Sequence, residues 1–173
     1  MGNVCQIRKM IPEDLPMVLG WRNHADVRRY MFTQHKISLD EHHNWFANAS
    51  RDTSRSLLIV EEDKQAIGYV QFTNIGDGGV ADWGFYTRPD SHKGTGRKLG
   101  VMALNYAFSS LKLHKVCGQA IISNRASIAF HQRLGFTLEG VLRDQQRING
   151  TYHTLYCFGL LAPDWQSKAV KLE

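Results

Sequence analysis

Tyr86-Thr87-Arg88-Pro89-Asp90-Ser91-His92-Lys93-Gly94-Thr95-Gly96-Arg97-Lys98-Leu99 is the stretch on which the fold of this chain turns. A strand-like run from Val80 ends at Pro89. An amphipathic helix starts after the two glycines, with Leu99, Met102, Ala103, Tyr106 and Phe108 on its broad apolar face. Glycine lets a ligand approach the backbone closely. The first amides of a helix have no intrahelical partner, and the helix dipole adds roughly +0.5 charge there. With Lys93 and Arg97 beside it, this turn is a candidate phosphate or pyrophosphate cradle. It is not a P-loop, because Gly-Lys-Ser/Thr is missing, and not a dinucleotide fingerprint, because the third glycine is missing. A lone Gly-x-Gly is equally a simple tight turn, so its context decides.

Working outward, residues 6–10 read as a strand. Pro12-Glu13-Asp14 opens a helix over residues 12–21, and residues 25–31 form a second helical segment. Ser38-Leu39-Asp40-Glu41 is a capping box for a helix reaching about Ala49. Residues 56–62 and 66–74 are strands joined by a charged turn, and residues 80–88 are the next strand. Past the glycine turn and its helix come a strand over 115–122 and a helix over 125–134, stopped by Gly135. Residues 137–148 and 151–161 pair as a hairpin across Asn149-Gly150. Hairpin strands beside helix-linked strands predict an α/β chain of the α+β kind, with helices on the faces of a mixed sheet. One domain over residues 1–173 is expected.

Composition narrows the function. The chain has 173 residues, 43% apolar and 21% charged, which is ordinary for a globular protein with a sizeable core. No apolar run reaches the ~20 residues of a membrane span, so no membrane partner is expected. Residues 1–6 lack the basic and apolar regions of a signal peptide, and Gln6 argues against myristoylation at Gly2. Cys5, Cys117 and Cys157 are far apart, without metal-ligand spacing. They read as buried small hydrophobes in a reducing cytoplasm, with no metal. The formal charge is +5, but no run of five basic residues occurs. That favours an anionic small molecule over nucleic acid.

A second motif makes the first specific. Asn124-Arg125-Ala126-Ser127 opens a helix that ends in Leu134-Gly135-Phe136. Alone, it is a helix cap and a helix stop. Strand, Gly-x-Gly, helix, strand, Asn-x-x-Ser, helix and Leu-Gly-Phe, in this order, resemble the GNAT superfamily of acyl-CoA-dependent N-acetyltransferases over nearly the whole chain. The resemblance implies a twisted, mostly antiparallel mixed sheet that splays between its fourth and fifth strands. It implies acetyl-CoA as co-substrate. The amides of Lys93, Gly94, Thr95, Gly96 and Arg97 would hold its pyrophosphate. The backbone near Phe85 and Thr87 would pair with its pantetheine arm, along with Asn124 and Ser127. Ser91 stands where the superfamily usually has Arg or Gln, so Lys93 or Arg97 would supply that charge.

The same resemblance places His131 where a Tyr often protonates the departing CoA thiolate. Tyr with a pKa of ~10 keeps its proton at neutral pH, and His at ~6.5 mostly does not. His131 is therefore either an imidazolium acid or a structural residue, with solvent protonating the thiolate. Asp82 matches a position that is often acidic and could drain the amine proton through water. His42 and His43 are other candidates for this base.

The acceptor reading rests on the N-terminal part. Arg22, Arg28 and Arg29 could meet phosphates, and Tyr30, Phe32 and Trp45 could stack on a base or sugar. Trp21-Arg22-Asn23, Val27-Arg28-x-x-Met31-Phe32 and Glu41-His42-x-x-Trp45-Phe46 accompany Ala81-Asp82-Trp83-Gly84-Phe85-Tyr86. Together they resemble the N-acetyltransferases of pseudaminic acid biosynthesis. That implies a UDP-linked amino-deoxy sugar, acetylated on its 4-amino group, with Arg22, Arg28 and His42 on the UDP and Trp45 beside them. Acylation of a protein N-terminus or another small amine is the alternative, and a non-catalytic CoA-binding module is a reading of another class. A homodimer is a further expectation.

Overall fold

A computed structural model describes residues 4–169. Residues 1–3, on which part of the leader and myristoylation readings rests, lie outside the described residues. Among the described residues seven strands form one sheet in the order β1-β2-β3-β4-β5-β7-β6. They are β1 (Cys5–Lys9), β2 (Ser56–Glu62), β3 (Gln65–Thr73), β4 (Val80–Thr87), β5 (Lys115–Ile121), β6 (Thr137–Ile148) and β7 (Thr151–Leu161). Every neighbouring pair is antiparallel except β4 and β5. Among the described residues the helices are α1 (Leu15–Asn23), α2 (Ala25–Arg28), α3 (Leu39–Ala49), α4 (Thr95–Ser109), α5 (Arg125–Leu134) and α6 (Ala162–Ala169). The mixed sheet flanked by helices is the expected fold class.

The sheet is covered on both faces. Leu57 and Ile59 of β2 and Tyr69 of β3 pack against Leu15, Val18 and Trp21 of α1. Leu58, Val60, Val70 and Phe72 pack on the other face against Leu99, Ala103 and Ala107 of α4. Burial on both sides explains why Leu57-Leu58-Ile59-Val60 is a continuous apolar run rather than an alternating one.

Local signals act where expected. Ser38 accepts from the Glu41 amide and caps α3. Asn149 and Gly150 both have positive φ, 48° and 83°, as the tight hairpin turn requires. Two helix expectations are corrected. Residues 12–14 form only a 3-10 turn, and α1 starts at Leu15, with Pro16 in its first turn where a missing N–H is harmless. The second segment stops at Arg28 instead of reaching Met31. Helix α6 was not expected; the indole of its Trp165 is buried and donates to Asn105 Oδ1 at 2.9 Å.

Arg8 fixes the start of the N-terminal helices. Its guanidinium meets both oxygens of Asp14 at 2.7 and 2.8 Å and Glu61 Oε1 at 2.7 Å. Asp14 also accepts from the Ile11 amide, so β1, β2 and the entry to α1 are joined. Asp14 and Glu61 are buried, which opposes their ionisation; the hydrogen bonds from Arg8 hold Asp14 below its ordinary range, and those from Gln6 and Arg8 do the same for Glu61. Removing one partner of such a group leaves buried charge uncompensated. Arg8→Met is expected to destabilise the fold by about 3 kcal/mol, read as a lower urea midpoint with an unchanged slope.

Candidate active site

The sheet opens at its centre. β4 and β5 pair only where Val80, Ala81 and Asp82 meet Lys115, Val116 and Cys117. Beyond that point residues 83–87 stay with β3, and residues 118–121 stay with β7. The gap is part of a cleft of about 1000 Å³ that crosses the sheet. Gly96, Asn124, Ser127 and Phe130 line it on the α4–α5 side, and Arg22, His42, Trp45 and Tyr69 on the α1–α3 side. Alternation along β4 serves both: Trp83 and Phe85 join the α4 core, while Tyr86 packs with the α1–α3 core.

On the α4–α5 side the glycine turn presents bare backbone at the start of α4. Gly94 has φ +99° and is the N-cap of α4, with no side-chain cap. The first helical bond runs from the Lys98 amide to Gly94 O at 3.2 Å. The amides of Gly96 and Arg97 therefore lie in the unpartnered first turn. Gly96 lines the cleft, whereas Lys93, Gly94 and Arg97 are exposed beyond it. Thr95 departs from its expected place. It is buried, its amide donates to His92 O at 3.1 Å, and it lines a separate small cavity with Arg88 and Ser91. The Ser91 hydroxyl donates to Arg88 O, so it braces the turn. Phe85 and Thr87 line the gap through the strand edge that β5 has left. Asn124 Oδ1 accepts from the Ser127 amide at 3.1 Å and caps α5, which leaves its Nδ2 as a donor.

His131 has 1% exposure and sits at the fork. Indole N–H only donates, so His131 Nε2 accepts from Trp83 Nε1 at 3.1 Å. Its Nδ1–H donates to Ser127 O at 2.8 Å. This is a neutral imidazole with both nitrogens engaged. Burial pushes its pKa down, opposed by the bond to Ser127. An imidazolium acid would need a proton on Nε2, where Trp83 already directs one. The expectation of His131 as that acid does not fit this geometry. Asp82 is at the last β4–β5 rung, lines the cleft and accepts from Asn74 Nδ2 at 2.7 Å.

On the α1–α3 side, Arg22 donates through Nη2 to Thr33 O at 2.7 Å, while its buried Nη1 has no partner among the described residues. Burial lowers its pKa. His42 stacks on Trp45 with centroids 5.1 Å apart, and its buried Nε2 is also unpartnered. Burial and the neighbouring His43 lower the His42 pKa. Arg28 is not in the cleft; Arg29 is, because α2 lasts only one turn and the next residue carries the chain towards the opening. Tyr69, Gln71 and Tyr86 were not anticipated. Tyr69 donates to Gln71 Oε1 at 3.0 Å and packs against Tyr86 and Trp45. The two-residue spacing of Tyr69 and Gln71 on one strand face was their only signal.

The model of the acetyltransferase (GNAT) domain family matches residues 5–137. Acetyltransferase PseH of Campylobacter jejuni is 30% identical over 126 residues, 73% of this chain and 78% of PseH. The spermidine N(1)-acetyltransferase of Vibrio cholerae is 27% identical over 155 residues, 88% of this chain and 90% of that one. The crystal structure of the Vibrio cholerae spermidine N-acetyltransferase in complex with CoA and spermine has a TM-score of 0.86 at 25% identity, over 94% of this chain and 98% of that chain.

His42 and His131 also set a pH window. Both are held below the ordinary 6.5, so the unfolded chain binds more protons below that pH. Their contribution is complete above pH ~6.5 and is lost as pH falls towards their folded values. The Asp14 and Glu61 carboxyls, lowered from 3.8 and 4.5, act only at lower pH. Between pH 6.5 and 5.5, stability is expected to fall by at most about 1 kcal/mol for each of the two histidines. Urea unfolding at both pH values measures this, and His131→Gln should reduce the difference.

Proposed function

The chain belongs to the acetyltransferase (GNAT) family, and from that membership we propose that its acceptor is the 4-amino group of a UDP-linked amino-deoxy sugar. It is an acetyl-CoA-dependent N-acetyltransferase. Acetyl-CoA would lie on the α4–α5 side. The amides of Gly96 and Arg97 suit the pyrophosphate, with Lys93 and Arg97 side chains nearby. The pantetheine arm would run along Phe85 and Thr87, held by Asn124 and Ser127, with its thioester delivered into the gap. Bare helix amides and an unpaired strand edge are what such a cofactor needs.

The observation that carries the acceptor reading is Arg22. A guanidinium N–H without a partner in a half-buried site costs stability that the fold does not recover. A diphosphate would satisfy it. Arg29 also lines this mouth, and Trp45 and Tyr30 offer faces for a base or sugar. Of the acidic side chains there, Glu41 meets His35 at 3.0 Å and Asp26 lies 3.7 Å from Arg29. A polyamine acceptor is the second reading, favoured by similarity to the spermidine acetyltransferases and by Glu41 and Asp26 in the cleft.

The reaction is a direct transfer. The neutral amine attacks the thioester carbonyl, a C–N bond forms, the C–S bond breaks, and CoA leaves as thiolate. Asp82 takes the amine proton through water, and solvent protonates the thiolate. The proposed setting is the cytoplasm, in keeping with three unpaired cysteines. The proposed homodimer uses the edge strand β6, which exposes Leu138, Val141 and Leu142.

Purified protein with acetyl-CoA and a UDP-4-amino sugar, spermidine or a peptide, read out as free thiol, tests the acceptor. Turnover is expected on the nucleotide sugar; turnover on spermidine alone overturns the reading. Arg22→Met should raise KM for the nucleotide sugar about tenfold, roughly 1.4 kcal/mol, with KM for acetyl-CoA within about twofold. Arg28→Ala should leave both unchanged.

A further inference from the structure

Three side-chain or backbone positions meet where the sheet forks. Asp82 and Cys117 form its last β4–β5 rung, and Trp83 and Gly118 are the next residue on each strand. His131 comes from α5 and closes the triangle through its bond to Trp83. A Cβ on Gly118 would lie 2.4 Å from His131 Nε2 and 2.6 Å from Trp83 Nε1. The bond therefore presses on bare β5 backbone at the first residue without a β4 partner. Strand pairing stops where this side-chain bond begins.

The lock is rigid. His131 stacks on Phe158 of β7 at 4.8 Å and 10°, and meets Trp83, Phe85, Phe130 and Phe136 edge-on or tilted. Its other nitrogen is tied to Ser127 O, in the first turn of α5, which Asn124 caps. The same ring thus connects β4, β7 and the residues proposed to hold pantetheine. The groups facing it from β4, β7, its own helix and the segment after it are aromatic rings and a backbone carbonyl.

We infer that the Trp83–His131 hydrogen bond is the wedge that sets the opening between β4 and β5, making His131 a positioning residue that acts on the cofactor channel through Trp83. This rests on the channel reading given under Proposed function. Removing either partner leaves the other buried and unsatisfied, and lets the strands shift towards each other. The channel then fits pantetheine less well. Because both substitutions remove the same bond, their effects are not additive.

Nitrogen-15 NMR of the histidine-labelled wild-type protein comes first and needs no variant. The expected spectrum has one histidine as the Nδ1–H tautomer, coupled to a slowly exchanging indole N–H and not titrating between pH 7.5 and 6.5. An Nε2–H tautomer or an imidazolium for His131 overturns the inference. Next, Trp83→Phe, His131→Phe and the double variant are compared by CoA calorimetry and steady-state kinetics. Each single change should weaken CoA binding about tenfold and raise KM for acetyl-CoA with a smaller loss in kcat. The double variant should be no worse than the singles, and the kcat pH profile should keep its shape. If His131→Phe instead lowers kcat roughly a hundredfold with CoA affinity intact, abolishes one limb of the pH profile, and Trp83→Phe is silent, His131 is an acid and the wedge is wrong. Asn124→Ala separates the two readings. CoA binding weakened by Asn124→Ala but not by His131→Phe overturns the wedge alone, and no effect from either overturns the channel and the wedge together.

Discussion

Backbone groups that leave a sheet need partners elsewhere, and the fork between β4 and β5 releases a row of them in the middle of the molecule. Both strands keep their outer neighbours, so the opening does not unfold the sheet. Parallel pairing at the base of the fork is short, only three residues on each strand. The two helices that follow these strands, α4 and α5, both start beside the opening. A helix start offers amides, and a strand edge offers amides and carbonyls. The central cleft is therefore polar where the backbone is exposed and apolar where Trp83, Phe85 and Phe130 pack.

The two mouths of the cleft differ in chemistry because different layers build them. On the α4–α5 side the lining is mainly backbone, at a glycine with φ +99° and a helix end without a side-chain cap. On the α1–α3 side it is side chains, with Arg22, His42 and Trp45 carried on helices and Tyr69 and Tyr86 rising from the sheet. The α1–α3 layer in turn is held at its start by the Arg8 network, which ties β1 and β2 to the entry of α1. A fault there would move Arg22 without touching the donor side.

Much of the fold was legible because it is written in short-range signals. Ser38, Asn124, Gly135 and Asn149-Gly150 all act within four residues of themselves, and all do what their types suggest. Residues 29–31 misled because a helical composition does not reveal that Arg29 and Tyr30 turn out of α2 to line the cleft. Helix α6 was missed because its one buried anchor, Trp165, is stabilised by Asn105, 60 residues away. On the candidate site, glycine spacing pointed to the loop but could not separate Gly96, in the cleft, from Thr95, buried behind it. That distinction depends on which way each residue of the first helical turn faces.

Spacing along the chain translates directly into strand, turn and helix, and so gives a mixed sheet with helices on its faces. The order of the two glycine and asparagine motifs carries the resemblance to the family, and that resemblance implied the donor and the fork. The tautomer of His131, its bond to Trp83 48 residues earlier, and the crowding at Gly118 came from packing. So did the presence of Arg29 rather than Arg28 in the cleft and the unpartnered nitrogen of Arg22. A side chain's protonation and partners are set by what surrounds it in three dimensions, and neighbours brought together from β4, β5, β7 and α5 leave no trace in local spacing.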